Sequence, residues 1–180
     1  MEADQKYLPP LRSLVLGGAA SGKSEWAEEF VAKQGVSRVY IATAEAWDDE
    51  MRAKLTQHRA RRDATWRTIE TPTDLPAALA DVRRGEVVLI DCLTLWLSNL
   101  MLAEADLAAA EAALMAALAA CPAPVTCVSN EVGMGVVPDT PLGRRFRNAQ
   151  GGLNRRVAAQ AGLVVAVMAG LPLVLKGRVE

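Results

Sequence analysis

Short aliphatic runs alternate with stretches of helical spacing along the chain. Residues 12–16 (Arg-Ser-Leu-Val-Leu) are short and apolar, the pattern of a strand buried on both faces of a parallel sheet. In the segment after them Trp26, Phe30 and Lys33 recur at helical spacing, and Ala27 and Val31 widen the apolar stripe. This predicts a helix to about Gln34, with Gly35 where a C′ glycine belongs. Residues 37–43 predict a second strand. Ala44 to Trp47 then leads into a helix running to Arg62. Asp48, Asp49 and Glu50 suit its first turn, and Trp47, Met51, Leu55 and His58 share one face. Residues 65–70 predict a third strand. A helix from Leu75 to about Arg84 follows, capped by Thr73 or Asp74, with Pro76 in its first turn and Gly85 at its end.

The second half repeats the alternation. Residues 86–91 are a strand of four aliphatics running into Asp91. Residues 93–102 and about 104–120 predict two helices, the second alanine-rich and broken by Pro122 and Pro124. Residues 125–129 predict another strand, and residues 130–139 hold too many glycines for a helix. Residues 141–161 form a long arginine-bearing helix. Residues 163–168 and 171–175 close the chain as two strands, a hairpin about Gly170-Leu171-Pro172. Strands alternating with helices predict a single-domain α/β fold, a mainly parallel sheet with helices on both faces. Residues 1–11, with Pro9 and Pro10, are a loose lead-in, and the domain occupies 12–180.

Composition narrows the class. The chain has 180 residues, 51% hydrophobic, with a net charge of −1, so it has a core to bury and no basic excess asking for nucleic acid. Cys92, Cys121 and Cys127 show no CxxC spacing, and neither a disulfide framework nor a zinc site follows from them. A start carrying Glu2, Asp4 and Lys6 is unlike a signal peptide. The longest apolar tract, 107–121, is interrupted by Glu111 and too short to span a bilayer. The expectation is a cytoplasmic protein without a membrane span.

The chemistry begins at Gly17-Gly18-Ala19-Ala20-Ser21-Gly22-Lys23-Ser24, which reads G-x-x-x-x-G-K-S between a predicted strand and a predicted helix. In such a phosphate loop, glycines let the backbone turn its N–H groups inward, and the helix N-terminus adds its dipole. Lys23 would then reach the β/γ-phosphates, and the Ser24 hydroxyl would ligate Mg²⁺. Asp91 is the second signal. In phosphate-loop proteins a strand beside the loop strand often ends in an acid that binds Mg²⁺. Ligands gather at the carboxyl ends of parallel strands, and the phosphate loop, Thr43, Glu70, Asp91 and Asn130-Glu131 all stand at such ends.

The residues alone leave two readings of His58, the only histidine. It shares a face with Trp47, Met51 and Leu55, as a core or interface histidine does. The sharper reading is a nucleophile that carries a phosphoryl or nucleotidyl group, with Arg59, Arg61 and Arg62 as counter-charges within a turn. Those arginines could equally be a solvated helix end. Glu131 likewise reads either as a general base toward a substrate hydroxyl or as a carboxylate that orders its own loop.

Taken in order, the phosphate loop, Tyr40-Ile41-Ala42-Thr43, Trp47-Asp48-Asp49-Glu50-Met51, His58-Arg59-Ala60-Arg61-Arg62, Trp66-Arg67-Thr68, Ser129-Asn130-Glu131-Val132-Gly133-Met134-Gly135 and Phe146-Arg147-Asn148 closely resemble one family. It is the bifunctional adenosylcobinamide kinase / adenosylcobinamide-phosphate guanylyltransferase of cobalamin biosynthesis. The resemblance covers residues 12 to 176. It implies a RecA-like P-loop NTPase fold and a homotrimer. It also implies two reactions: a nucleoside triphosphate (ATP or GTP) phosphorylates the aminopropanol hydroxyl of adenosylcobinamide, then GTP donates GMP to that phosphate. In the family GMP passes through a histidine, and the matching residue is His58. Family nucleotide contacts map onto Gly17 to Ser24, Ile41, Ala42, Thr43, Arg59, Ala60, Arg61, Arg62, Glu70 and Asp91. One triphosphate cannot be attacked at its γ- and α-phosphorus in a single pose, so the His58 helix or the nucleotide must shift between steps. Ala20 departs from the pattern, since family members commonly carry arginine there. The loss of one charged hydrogen bond costs about 1.5–3 kcal/mol. Two other functions compete on residues alone: a phosphate-loop kinase for another small alcohol with a structural His58, and a nucleotide-driven switch or motor on nucleic acid. The near-neutral charge and the 4% aromatic content argue against the latter.

Overall fold

A computed structural model describes residues 10–44 and 63–179. The predicted helix ending at Arg62, with His58 and its arginines, lies outside the described residues. Seven strands form one sheet: β1 (Arg12–Gly17), β2 (Arg38–Ala42), β3 (Trp66–Glu70), β4 (Val87–Asp91), β5 (Val125–Asn130), β6 (Leu163–Met168) and β7 (Leu171–Lys176). Their order is β3-β2-β4-β5-β1-β6-β7. Every pairing is parallel except β6 with β7, the expected C-terminal hairpin.

The described helices are α1 (Lys23–Gln34), α2 (Leu75–Ala80), α3 (Leu93–Leu102), α4 (Leu107–Ala120) and α5 (Pro141–Gln160). The strand alternation sorts side chains into two cores. Leu14, Val39, Ile41, Val88, Ile90, Cys127 and Val164 face the side covered by α2, α3, α4 and α5, where Trp96, Leu114 and Leu153 are fully buried. Val15, Tyr40, Leu89, Val128 and Val165 face α1, through Ala27, Phe30 and Val31. Apolar cover on both faces explains why these strands are near-continuous aliphatic runs.

Local chemistry sets the helix ends, and three differ from expectation. Asp74 and not Thr73 caps α2, accepting from the Ala77 N–H, and the helix stops at Ala80 rather than Arg84. Gly85 therefore ends no helix; with φ +87° it makes the left-handed turn into β4. Helix α4 starts at Leu107, three residues late, because Asp106 caps the Ala109 N–H while Glu104 is left-handed. Gly35 is extended (φ −175°) and makes no left-handed cap. Its value is space, since a Cβ there would meet Val87 Cγ1 at 3.2 Å.

Candidate nucleotide-binding site

With five strands parallel from β3 to β1, the predicted strand-end residues fall on one edge of the sheet. Across it stand Glu70, Thr43, Asp91, Asn130 and Gly17. Register ties them together: Ala42 pairs with both Glu70 and Asp91, and Gly17 pairs with Asn130. One expectation needs correcting. The Asp91 strand is not beside the loop strand, because β5 lies between them. Two strand spacings put Asp91 roughly 10 Å across the sheet from β1, and four put Glu70 roughly 19 Å away.

The phosphate loop joins β1 to α1 as predicted. Its glycines are needed for contact. A Cβ on Gly17 would stand 2.3 Å from Ser21 Oγ and 2.7 Å from the Val167 carbonyl oxygen. Gly22 is left-handed at φ +90°, and a Cβ there would meet Gly170 Cα at 3.1 Å. Ala20 is left-handed too (φ 53°) and exposed, an arrangement that costs a non-glycine residue about 1–2 kcal/mol. No side chain caps α1. Its first-turn N–H groups are the donors a helix leaves for an anion. The Lys23 ammonium is almost buried and donates to the Gly18 carbonyl (3.0 Å), folded back over its own loop. The Ser21 hydroxyl is buried without a hydrogen-bond partner among the described residues.

The loop is braced on both sides. The Gly170 N–H in the β6–β7 turn donates to the Ser21 carbonyl (2.9 Å), and the Glu131 N–H donates to the Gly17 carbonyl (3.0 Å). Sequence reasoning missed what anchors the second brace. Behind Asn130, the Ser129 hydroxyl donates to Asn154 Oδ1 (2.7 Å), Gln150 Nε2 donates to Ser129 Oγ (2.8 Å) and Asn154 Oδ1 (3.0 Å), and Asn154 Nδ2 donates to the Asn130 carbonyl (3.1 Å). Ser129, Gln150 and Asn154 are all buried. From the other side the Asn130 N–H donates to Thr94 Oγ1 (2.7 Å). The signal was available: Gln150 and Asn154 stand four apart on the α5 stripe that carries Leu153 and Val157.

Asp91 accepts a hydrogen bond from the Tyr40 hydroxyl (3.2 Å). Beside it, burial and then the Asp91 charge push the Cys92 thiol up to about 11, with Lys23 near enough to oppose them. Burial likewise lifts Cys127 to about 12, so both thiols are inert near neutrality. Thr43 is fully buried and fully engaged. Its N–H donates to Asp91 O (3.2 Å), its hydroxyl donates to Cys92 O (2.7 Å) and accepts from Cys92 N–H (2.8 Å), and its carbonyl accepts from Asn99 Nδ2 (2.9 Å). Ile41 and Ala42 are buried as well, so Ile41–Ala42–Thr43 form a floor. For Glu131 the geometry favours loop ordering, since its Oε1 accepts from the Gly133 N–H at 2.5 Å.

A cleft of about 350 Å³ lies elsewhere, between α1 and the starts of β2 and β3. Its lining of Glu25, Glu28, Glu29 and Asp63 around Arg38 and Trp66 would repel a triphosphate. Among the described residues no group of three or more His, Cys, Asp or Glu could hold a metal, and no helix is long and apolar enough to cross a membrane.

The chain is 45% identical over 170 residues to the bifunctional adenosylcobalamin biosynthesis protein CobP of Pseudomonas aeruginosa, covering 93% of this chain and 98% of that protein. It is 40% identical over 179 residues to the bifunctional adenosylcobalamin biosynthesis protein CobU of Escherichia coli, covering 91% and 98%. A Pyrococcus horikoshii protein solved as a structural study of project PH0250 shares the fold at 7% identity, with a TM-score of 0.50 over 94% of this chain and 87% of that one. The profile of the family described as cobinamide kinase / cobinamide phosphate guanyltransferase matches residues 13–175, which takes in the phosphate loop, its two braces and every strand end of the candidate site. The chain therefore belongs to the cobinamide kinase / cobinamide phosphate guanyltransferase family.

Proposed function

We infer that this protein catalyses two successive transfers: phosphorylation of adenosylcobinamide on its aminopropanol hydroxyl by ATP or GTP, then transfer of GMP from GTP to that phosphate. The observation that carries the reading is an uncapped helix behind G-x-x-x-x-G-K-S, on the same sheet edge as Asp91, in a chain matched to the family over residues 13–175.

In the first step the substrate hydroxyl oxygen attacks the γ-phosphorus. The new O–P bond forms as the β–γ bridging bond breaks, the hydroxyl proton passes to solvent water, and the nucleoside diphosphate leaves. Gly17 to Ser24 (Gly17, Gly18, Ala19, Ala20, Ser21, Gly22, Lys23, Ser24) wrap the phosphates with backbone N–H groups. Lys23 exchanges the Gly18 carbonyl for β/γ-oxygens as negative charge moves to the leaving group. Ser24 and Asp91 supply a hydroxyl and a carboxylate, the hard oxygen donors that suit Mg²⁺ when phosphate and water complete its shell. Bound there, the ion would neutralise phosphate charge.

In the second step a His58 ring nitrogen attacks the α-phosphorus of GTP and pyrophosphate leaves. A phosphate oxygen of adenosylcobinamide phosphate then attacks the same phosphorus, the N–P bond breaks, and adenosylcobinamide-GDP forms. Arg59, Arg61 and Arg62, with Ala60 between them, offset the charge on the phosphates. Ile41, Ala42, Thr43 and Glu70 serve the nucleoside end, which suits their distance from the phosphate loop across the sheet. The protein works in the cytoplasm, where its three cysteines stay as thiols. It assembles as a homotrimer, a reading supported by β7, an edge strand whose six positions are all exposed, Leu171, Leu173, Val174 and Leu175 among them. Sedimentation equilibrium checks this, and a monomer at micromolar concentration would refute it.

Product analysis tests the function. With adenosylcobinamide and GTP, a phosphorylated corrinoid should appear first, followed by adenosylcobinamide-GDP with one pyrophosphate released per product. Phosphorylation of simple alcohols without pyrophosphate release would mark a kinase of another kind.

A further inference from the structure

Resting on that function, we propose that the loop after β5, residues 132–138, is the surface on which the corrin macrocycle of the substrate lies while its hydroxyl arm enters the site. The loop is Val-Gly-Met-Gly-Val-Val-Pro, seven residues without a charge. Its apolar side chains face solvent: Met134 is 89% exposed, Val136 95% and Val137 58%. Such a concentration of exposed aliphatics marks a contact surface.

Its base is fixed while its apex is bare. Glu131, the residue just before the loop, donates its N–H to the Gly17 carbonyl, and the buried Ser129–Gln150–Asn154 cluster holds the strand end below it. Glu131 Oε1 then ties down the Gly133 N–H. The apolar apex is thus held at the rim of the phosphate loop. A phosphoryl acceptor must bring its hydroxyl to the γ-phosphorus there. Its arm is only a few bonds long, so the bulk of the substrate has to rest on what borders the loop. A corrinoid offers a hydrocarbon ring edge with methyl groups and neutral amides, which matches an uncharged surface. Exposed valines and a methionine adapt to such a ring without demanding hydrogen bonds.

Two alternatives fit less well. A second copy of the chain would need roughly 20–30 residues a side for a stable interface, and this loop supplies seven. The β6–β7 turn also borders the phosphate loop and exposes Met168 and Leu171. It is continuous with the exposed β7 strand, which suits subunit contact better.

The test uses the full-length protein and two variants, Val136→Asp and Met134→Gln, at positions too exposed to unfold the chain. Equilibrium dialysis with adenosylcobinamide should show Kd raised roughly tenfold or more for Val136→Asp and less for Met134→Gln. In the kinase assay the corrinoid KM should rise in parallel, with the nucleotide KM within about twofold of wild type. Corrinoid Kd unchanged in both variants, a matching rise in nucleotide KM, or a changed sedimentation coefficient would each overturn the proposal, the last by making the loop a contact between copies. A wild-type protein that binds adenosylcobinamide without phosphorylating it, and loses that binding in Val136→Asp, would sustain the docking surface while the proposed reaction failed. No binding by the wild-type protein would overturn both.

Discussion

Asn154→Leu tests how the second brace of the phosphate loop is held. Asn154 is 6% exposed; its Oδ1 accepts from Ser129 Oγ and Gln150 Nε2, and its Nδ2 donates to the Asn130 carbonyl. Leucine has a similar volume and a better helix propensity, so neither a cavity nor backbone strain is introduced. Three hydrogen bonds are lost. Gln150 Nε2 keeps Ser129 Oγ, but the Ser129 hydroxyl proton loses its partner in a buried setting and the Asn130 carbonyl loses its partner in a part-buried one. Two stranded groups cost about 1–3 kcal/mol each, and the extra apolar surface returns about 1 kcal/mol. The net expectation is a loss of about 3 kcal/mol, or roughly 6–12 °C in Tm for a domain of this size. Thermal unfolding followed by circular dichroism reads the first effect. The second is functional: with the strand end free to shift, Glu131 loosens from Gly17, and kcat for phosphoryl transfer at 20 °C should fall about tenfold or more. A Tm within about 2 °C of wild type together with an unchanged kcat would refute the reasoning.

Other perturbations probe separate parts of the account. Gly22→Ala forces a left-handed alanine against Gly170 and should cost about 1–3 kcal/mol while weakening nucleotide binding; calorimetric titration with an unaltered Kd would contradict the tight-loop argument. Lys23→Met should abolish phosphoryl transfer yet leave the fold intact, since among the described residues its ammonium makes one hydrogen bond, to the Gly18 carbonyl; retained turnover would remove the role given to Lys23. Asp91→Asn should raise the Mg²⁺ concentration needed for half-maximal rate, and an unshifted Mg²⁺ dependence would discount it as a ligand. Burial keeps the Cys92 thiol protonated in the fold until about pH 11, against about 9 for an exposed thiol. The stability this gives is present in full below about pH 9 and is lost progressively as pH rises to about 11. Urea titrations should therefore show a shallower alkaline decline in Cys92→Ala, and identical slopes would speak against the burial argument.

Much of this was legible in the sequence because the signals were strong and local. Apolar runs located six of the seven strands to within one or two residues, the exception being the mixed Trp66–Glu70 strand, and proline, glycine and aspartate marked most breaks between them. What the sequence obscured was non-local. Nothing in residues 86–91 tells that β5 will insert between that strand and β1, because strand order is decided by how helices pack across both faces. Gly35 looked like a helix cap by position, whereas its role is the approach of Val87 from another strand. The Glu104 bound failed because Asp106 caps the helix that starts at Leu107, and the Arg84 bound because Asp81 is already the C-cap of the helix that starts at Leu75. The Ser129–Gln150–Asn154 cluster joins residues on β5 and α5 up to 25 apart. Polar residues on an amphipathic helix look alike until the buried face is known.

The central claim is that one chain carries both transfers, with His58 holding GMP between them. Incubating the protein with GTP radiolabelled at the α-phosphorus, without corrinoid, tests it most directly. The account predicts acid-labile, base-stable label on His58, absent in His58→Ala and chased into adenosylcobinamide-GDP when adenosylcobinamide phosphate is added. No label on the wild-type protein, or label that persists in His58→Ala, would contradict it.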